Sequence, residues 1–232
     1  MANKKPIIIT LIVSALLIGL LGYYEHARQQ SQVNPLLESE VNLDGPLVPE
    51  EQELTNADLT NTMNPTAIIT TNRGVVELEL FQDQMPITVG NFVSLAESGF
   101  YDGTKFHRVI DGFMIQGGDP NSKSDNEASY GTGGSENIQD EFVDGPELTN
   151  TRGTIAMANT GQPNSGSSQF FINLVDNTGL DFDKQPFTSK HPVFGRVVNG
   201  MDIVDAIGKT ETKAGNIPVE PVVVESVQIV QN

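Results

Sequence analysis

The stretch Phe106–Asp119, FHRVIDGFMIQGGD, decides how this chain is read. It has the form of two short strands around an Asp111-Gly112 turn. Strand alternation places Arg108 on one face with Phe106 and Ile110. An arginine in a strand ordinarily points to solvent or pairs with a carboxylate. The neighbours here argue for another role. Phe113, Met114 and Gln116 follow the turn, and Gly117 and Gly118 then leave room because they carry no side chains. Two registers are open. A two-residue turn sets Arg108 opposite Ile115, and Asp-Gly chemistry favours it. A three-residue turn, Asp111 to Phe113, sets Arg108 opposite Gln116 and pushes Phe113 out at the tip. Only the second puts a guanidinium and an amide on one surface.

Outward from this stretch, short strands and glycine-rich turns continue in both directions. In AIITTNRGVVELEL, Val76, Leu78 and Leu80 alternate with Glu77 and Glu79, the pattern of a half-buried hairpin strand. QMPITVGNFVSLAESGFYDG predicts a helix, with Pro86 in the first turn, Val89, Phe92, Val93 and Ala96 on one apolar face, and Gly99 at the end. Further strands are expected at Gly153–Met157, Gln169–Leu174, Pro192–Val197 and Val222–Val230, and a second short helix at NGMDIVDAIGK, stopped by Gly208. Many antiparallel strands with two helices predict a mainly β fold, a closed barrel with helices over its open ends.

The chain has 232 residues, 38% of them hydrophobic, which allows a sizeable core. It contains no cysteine, so disulfides, thiolate nucleophiles and thiolate metal sites are excluded. The formal net charge of −17 argues against nucleic acid as a partner and is read chiefly as solubility. At the N-terminus, Lys4 and Lys5 precede an uncharged run of 19 residues, Pro6 to Tyr24. As a helix it spans roughly 28 Å, close to the thickness of a bilayer's hydrocarbon core. Tyr23 and Tyr24 suit an interface, and the lysines orient the remainder away from the cytoplasm. Residues 1–28 are therefore read as a transmembrane anchor. A cleaved signal peptide is the rival, but its best site, after Ala27, has Glu25 where a small residue is expected. Residues 29–65 carry Glu38, Glu40, Asp44, Glu50, Glu51, Glu53 and Asp58, no base, and several prolines. They read as an acidic disordered tether, and residues 66–232 as the folded domain.

The folded part resembles the cyclophilin family of peptidyl-prolyl cis-trans isomerases. The resemblance rests on FHRVIDGFMIQGGD, GTGGS, GTIAMANTG, SSQFFINL and HPVFGRVVNGMDIVDAI, in the family's order across nearly all of residues 66–232. It implies an eight-stranded antiparallel barrel capped by two helices, and proline-containing unfolded or partly folded polypeptides as substrates. It implies Arg108 as the catalytic arginine, supported by Phe113 and Gln116. The proline pocket falls on Phe113, Met114, Phe171 and Leu180, with His191 on its wall. Gln116 and Asn159 are implied to hold substrate backbone, Ala158 and Gln169 to line the groove, and Gly131 and Thr160 to edge it. No cofactor or metal is implied.

These residue types suit the reaction. Rotation about an X-Pro bond faces a barrier of about 18–20 kcal/mol set by amide resonance. No bond breaks, so no nucleophile is needed. A donor aimed at the prolyl nitrogen favours its twisted, pyramidal form, which exists only near the transition state. Arginine offers five such N–H donors and a fixed charge, and an apolar floor strengthens its field by excluding water. SSQFFINL fits from its own pattern: Gln169, Phe171 and Asn173 share one face, and Phe170, Ile172 and Leu174 the other.

Other residues have plainer readings. His107 is read as a satisfied core histidine. GTGGS lacks the Lys-Ser/Thr ending of a phosphate loop. Ser165, Ser167 and Ser168 have no base in a triad order, which argues against a hydrolase. The chain departs from the family pattern in three places. It has no tryptophan; the position where many members carry one at the groove rim falls near Gly179, which implies weak cyclosporin binding. Asp111 stands where many relatives have proline. DFDKQPFTSK, residues 181–190, is longer than in compact members. Two functions are carried forward: an isomerase acting on exported polypeptides outside the cytoplasm, as a monomer, and a non-catalytic proline-binding chaperone or scaffold.

Overall fold

Ala67, Ile69 and Thr71 on β1 (Thr66–Thr71) are buried, as are Val76, Leu78 and Leu80 on β2 (Gly74–Leu80). Their polar neighbours stay partly exposed, as the alternation predicts. In the computed structural model, which describes residues 64–185 and 189–231, this hairpin begins an eight-stranded sheet. The expected anchor, the tether except its last two residues, and residues 186–188 lie outside the described part.

Strand β3 (Arg108–Ile110) is followed by β4 (Met114–Gly117), β5 (Thr154–Met157), β6 (Phe170–Asn173), β7 (Val193–Asn199) and finally β10 (Val224–Val230). The order across the sheet is β10-β1-β2-β7-β5-β6-β4-β3, with every pairing antiparallel. The sheet curls into a half-barrel. Its edges, β3 and β10, are stitched ahead of β3 and at the start of β10: Phe106 N–H donates to the Val222 carbonyl at 2.9 Å and Val224 N–H to the Thr104 carbonyl at 2.8 Å. Closure is thus a short seam and not a continuous ladder. The sequence reading has no counterpart for a separate ribbon, β8 (Thr212–Lys213) with β9 (Ile217–Pro218). The turn between its strands caps the free edge of β3, where Asn216 accepts from Val109 N–H.

Helix α1 (Pro86–Glu97) buries Thr88, Val89, Phe92 and Ala96. Phe92 meets Tyr101, Phe170 and Phe194 at ring-centroid distances of 5.1, 5.7 and 5.5 Å, tying the helix to β6 and β7. Met85 has no side chain that can cap this helix. Glu141 does so from another part of the chain, its two carboxylate oxygens accepting from Ile87 and Thr88 N–H. Helix α2 (Met201–Gly208) buries Val204 and Ile207.

The hairpin register is the looser of the two that the sequence leaves open. Arg108 faces Gln116 and Ile110 faces Met114, with Asp111–Phe113 forming the turn. A glycine is needed inside it, because Gly112 has φ +68°. Cross-strand rows then sort the faces. Val109, Ile115, Ile172 and Ile155 lie in one row, all buried in the core. Arg108, Gln116, Phe171 and Ala156 form the neighbouring row on the opposite face. One expectation fails here. Phe106 packs edge-on against Phe170 inside the core, centroids 6.1 Å apart, and does not share Arg108's face. Alternation breaks at His107, because the chain leaves the seam there and enters β3 on a new phase.

Candidate active site

The row Arg108–Gln116–Phe171 carries the site across three adjacent strands. Arg108 is half-buried and, among the described residues, pairs with no carboxylate. Its Nη1 donates to Gln116 Oε1 at 3.1 Å. Gln116 Nε2 donates to Gln169 Oε1 at 2.9 Å, and Gln169 Nε2 donates to the Gly133 carbonyl at 2.7 Å. This relay fixes the guanidinium through one of its five N–H groups and leaves the others available.

Two flanks meet at the relay. On one side, Met114 lies under the surface, 2% exposed, two rows from Gln116. Phe171 meets His191 edge-on, ring centroids 5.3 Å apart. His191 Nδ1 lies 3.0 Å from the Met157 carbonyl, and its backbone N–H donates to the Leu180 carbonyl. Burial lowers the pKa of His191 below the usual histidine range, and the Met157 carbonyl opposes this only partly. Half-buried Phe113 and Leu180 pack against the core beside these residues.

On the other side is an open cavity of about 340 Å³. Gln116, Gly131, Ala158, Asn159, Thr160 and Gln169 line it, together with Gly133, Ser165 and Ser167, which the sequence reading did not place there. The signal was the glycine-rich GTGGS, which has no room for side chains. A Cβ on Gly133 would sit 2.3 Å from Asp119 Oδ1, and one on Gly134 2.5 Å from Ser167 Oγ. Gly131 takes φ +79°, and its N–H donates to the buried Asp119 carboxylate.

Asn159 separates the flanks. Its side chain is satisfied internally, donating to the Lys190 carbonyl and accepting from Gly161 N–H. Among the described residues its backbone N–H and C=O have no hydrogen-bond partner. An unpaired peptide unit on a partly exposed edge can take up an extended chain as another strand would. At Asn159 the polar groups left open are therefore those of the backbone and not of the side chain.

His107 departs from expectation. It is buried, but both ring nitrogens lack hydrogen-bond partners. Burial holds its pKa low. The Asp119 carboxylate and the nearby Lys105 carbonyl pull the other way without bonding to the ring. The three serines have structural partners: Ser165 Oγ donates to the Gln162 carbonyl, Ser168 Oγ to the Gly118 carbonyl, and Ser167 packs at Gly134.

A curled antiparallel sheet carrying an arginine, two glutamines and an open backbone edge beside apolar rings defines a peptide-binding enzyme. The family described as cyclophilin type peptidyl-prolyl cis-trans isomerase/CLD matches residues 66–229. Peptidyl-prolyl cis-trans isomerase A of Dickeya dadantii is 41% identical over 168 residues, 71% of this chain and 84% of that protein. Peptidyl-prolyl cis-trans isomerase B of Escherichia coli is 43% identical over 164 residues, 68% of this chain and 96% of its own. A cyclophilin type isomerase of Cryptosporidium parvum, crystallised in the presence of the dipeptide Ala-Pro, superposes with a TM-score of 0.61 at 30% identity, covering 72% of this chain and 99% of that one. The chain belongs to the cyclophilin family and is a peptidyl-prolyl cis-trans isomerase.

Proposed function

We propose that Arg108 is the group that lowers the rotational barrier. Held by Gln116 from one side, its free N–H groups reach toward a prolyl nitrogen seated over Phe171. A hydrogen bond there stabilises the nitrogen lone pair freed when the imide loses resonance, and so acts on the transition state more than on either planar isomer. Phe113, Met114, Phe171, Leu180 and His191 grip the proline ring. The Asn159 backbone pairs with the residue before proline, and Gln116 and Gln169 face the carbonyls around it. Gly131, Ala158 and Thr160 shape the cavity beyond. The ring stays fixed while the preceding carbonyl turns. His191 is a wall: rotation of the imide transfers no proton, and the Met157 carbonyl at Nδ1 serves to hold the ring in place.

The observation that carries this reading is the Arg108–Gln116–Gln169 relay, with no carboxylate among the described residues competing for the guanidinium. A protease-coupled assay on a short X-Pro peptide tests it. Arg108→Ala is expected to lower kcat/KM by about 10²- to 10³-fold, the scale of losing one preorganised transition-state donor. A rate within about twofold of the parent overturns the role given to Arg108.

The substrates proposed are proline-containing, unfolded or partly folded polypeptides on the far side of a membrane. The enzyme would be a monomer held there by residues 1–28 and spaced from the bilayer by the acidic 29–65 segment. Support comes from the uncharged Pro6–Tyr24 run behind two lysines. Among the described residues no helix is long and apolar enough to cross a membrane. Cyclosporin binding is expected to be weak, with Gly179 at the rim. Fractionation with N-terminal sequencing tests the anchor: recovery in the soluble fraction, beginning after Ala27, would overturn it in favour of a cleaved signal.

A further inference from the structure

A second set of polar side chains lies under the apolar flank, and the catalytic reading does not use it. Asp181, 5% exposed, accepts from both the backbone N–H and the side-chain Nδ2 of Asn150, each at 2.8 Å, and from the Thr149 hydroxyl. Asn150 Nδ2 also donates to the His191 carbonyl at 3.0 Å. Asn173 Nδ2 donates to Asn150 Oδ1 at 3.1 Å and to Thr154 Oγ1 at 3.0 Å. Asn177 Nδ2 donates to Asn173 Oδ1 at 2.8 Å and to the Phe113 carbonyl at 2.9 Å. Asn150 and Asn173 are fully buried.

These groups form one chain of amides, each accepting from the next and donating back toward Asp181 or outward to backbone. The carboxylate gives the chain a charged end, and each dipole along it is polarised in the same sense. What the chain ties down is specific. One end holds the peptide of Phe113, at the tip of the β3–β4 turn. The other holds the peptide of His191, whose N–H also bonds Leu180. Leu180 N–H in turn donates to the Asn177 carbonyl, and Asn177 N–H to the Asn150 carbonyl. Phe113, Leu180 and His191 come from two loops far apart in sequence. Phe113 sits where the β4–β6 pairing continues, its carbonyl also accepting from Leu174 N–H at 2.9 Å, whereas no strand of the described residues runs between Leu180 and His191.

We propose that Asn177, Asn173, Asn150 and Asp181 form a charge-anchored ladder that sets the width of the proline pocket and its distance from Arg108. They are positioning residues: they act through Phe113 and His191 and touch no substrate. The proposal rests on the pocket assignment above.

The test uses the full chain. Asn177→Ala removes the bond to Phe113 at the half-exposed end of the ladder. It is expected to lower kcat/KM on an X-Pro peptide about tenfold, mostly through KM, as displacement of a binding group by a fraction of an ångström does. Val227→Ala, in β10 away from the site, serves as a control for stability. It lowers the melting temperature but leaves kcat/KM unchanged in the folded protein. The deciding measurement is a double-mutant cycle. In a Phe113→Ala background, Asn177→Ala is expected to cost less than twofold more, because its effect passes through that residue. The same tenfold loss in both backgrounds, or no loss beyond that of Val227→Ala, overturns the ladder's role. Asp181→Asn keeps the shape, removes the charge, and serves if Asn177→Ala fails to fold. It is expected to lower kcat/KM about threefold, a partial loss of charge-assisted polarisation, and an unchanged value counts against the proposal. Full activity in Arg108→Ala would instead sink the pocket assignment itself, whatever the ladder variants do.

Discussion

The two flanks of the Arg108 relay are built from different material. The apolar flank is made of strand residues and rings: Met114 on β4, Phe171 on β6, and His191 leaning on Phe171. Its positions follow from sheet register, and the two loops that complete it are clamped by buried amides. The polar flank is made of loop. It owes its volume to what is missing, glycines at 131, 133 and 134 where a Cβ would be strained or would collide. One flank is rigid because it is packed, the other open because it cannot be filled. For an isomerase the division is sensible. The ring must be held still, and the chain before it must turn and vary in side chain.

If that contrast is right, damage to the two flanks should differ in kind. The largest effect is expected from Phe171→Ala. The residue is 5% exposed and sits between Gln116 and Ala156 in the Arg108 row. Its truncation should cost about 3–5 kcal/mol of stability, as buried aromatic deletions do. It should also lower kcat/KM on every X-Pro peptide, whatever its length. Urea denaturation with the coupled assay reads both. Loss of stability without loss of activity would show that Phe171 belongs to the core and not to the pocket.

Next comes the polar flank. Gly133→Ala puts a methyl group 2.3 Å from Asp119 Oδ1 and 2.9 Å from Asn121 Cγ, so the glycine loop or its Asp119 and Asn121 supports must shift and the cavity wall with them. A small overpacking cost of about 1–3 kcal/mol is expected. Turnover of a minimal Ala-Pro substrate should stay within a factor of two. Peptides extended on the N-terminal side of proline should lose efficiency by several-fold. Equal losses on short and long peptides would erase the distinction between the flanks.

The sequence revealed the two flanks unequally, for the same physical reason. Strand alternation exposed Val76, Leu78 and Leu80 and separated Phe170 from Phe171 correctly, because a period of two is strict within a paired strand. The same rule failed at Phe106, where a seam and a strand meet out of phase. Arg108 stood out as a cation in an apolar run, but its register was not decidable. Asp-Gly suits a two-residue turn, whereas the observed three-residue turn sets Val109 and Ile115, both buried, opposite each other in the core row. Loop chemistry hid more. Glu141 capping α1 and Asp181 anchoring Asn150 are contacts between segments distant in sequence, with no local periodicity to announce them. Asn159 was legible as a candidate only by resemblance, because an open backbone N–H and C=O leave no mark in the sequence.

The smallest effect separates the flanks by pH. His191 stands on the apolar side, and His107 lies beneath the glycine loop, where a Cβ on Gly131 would be 3.8 Å from His107 Nε2. Burial lowers both pKa values in the folded protein, whereas an unfolded histidine titrates near 6.5. The unfolded chain therefore binds protons first as pH falls. The stability contributed by the neutral rings is complete above about pH 6.5 and is lost as pH drops through that value, by at most about 1.4 kcal/mol per pH unit per histidine. The loss levels off once pH passes below the lowered folded values. His191 has a carbonyl at Nδ1 that favours the charged ring, and His107 has no bonded partner at either nitrogen. His107→Gln should accordingly remove more of the acid-dependent fall in urea midpoint between pH 7.5 and 5.5 than His191→Gln does. The reverse order would mean that the buried Asp119 carboxylate compensates His107 more strongly than its geometry indicates, and that the glycine loop rests on an ion pair.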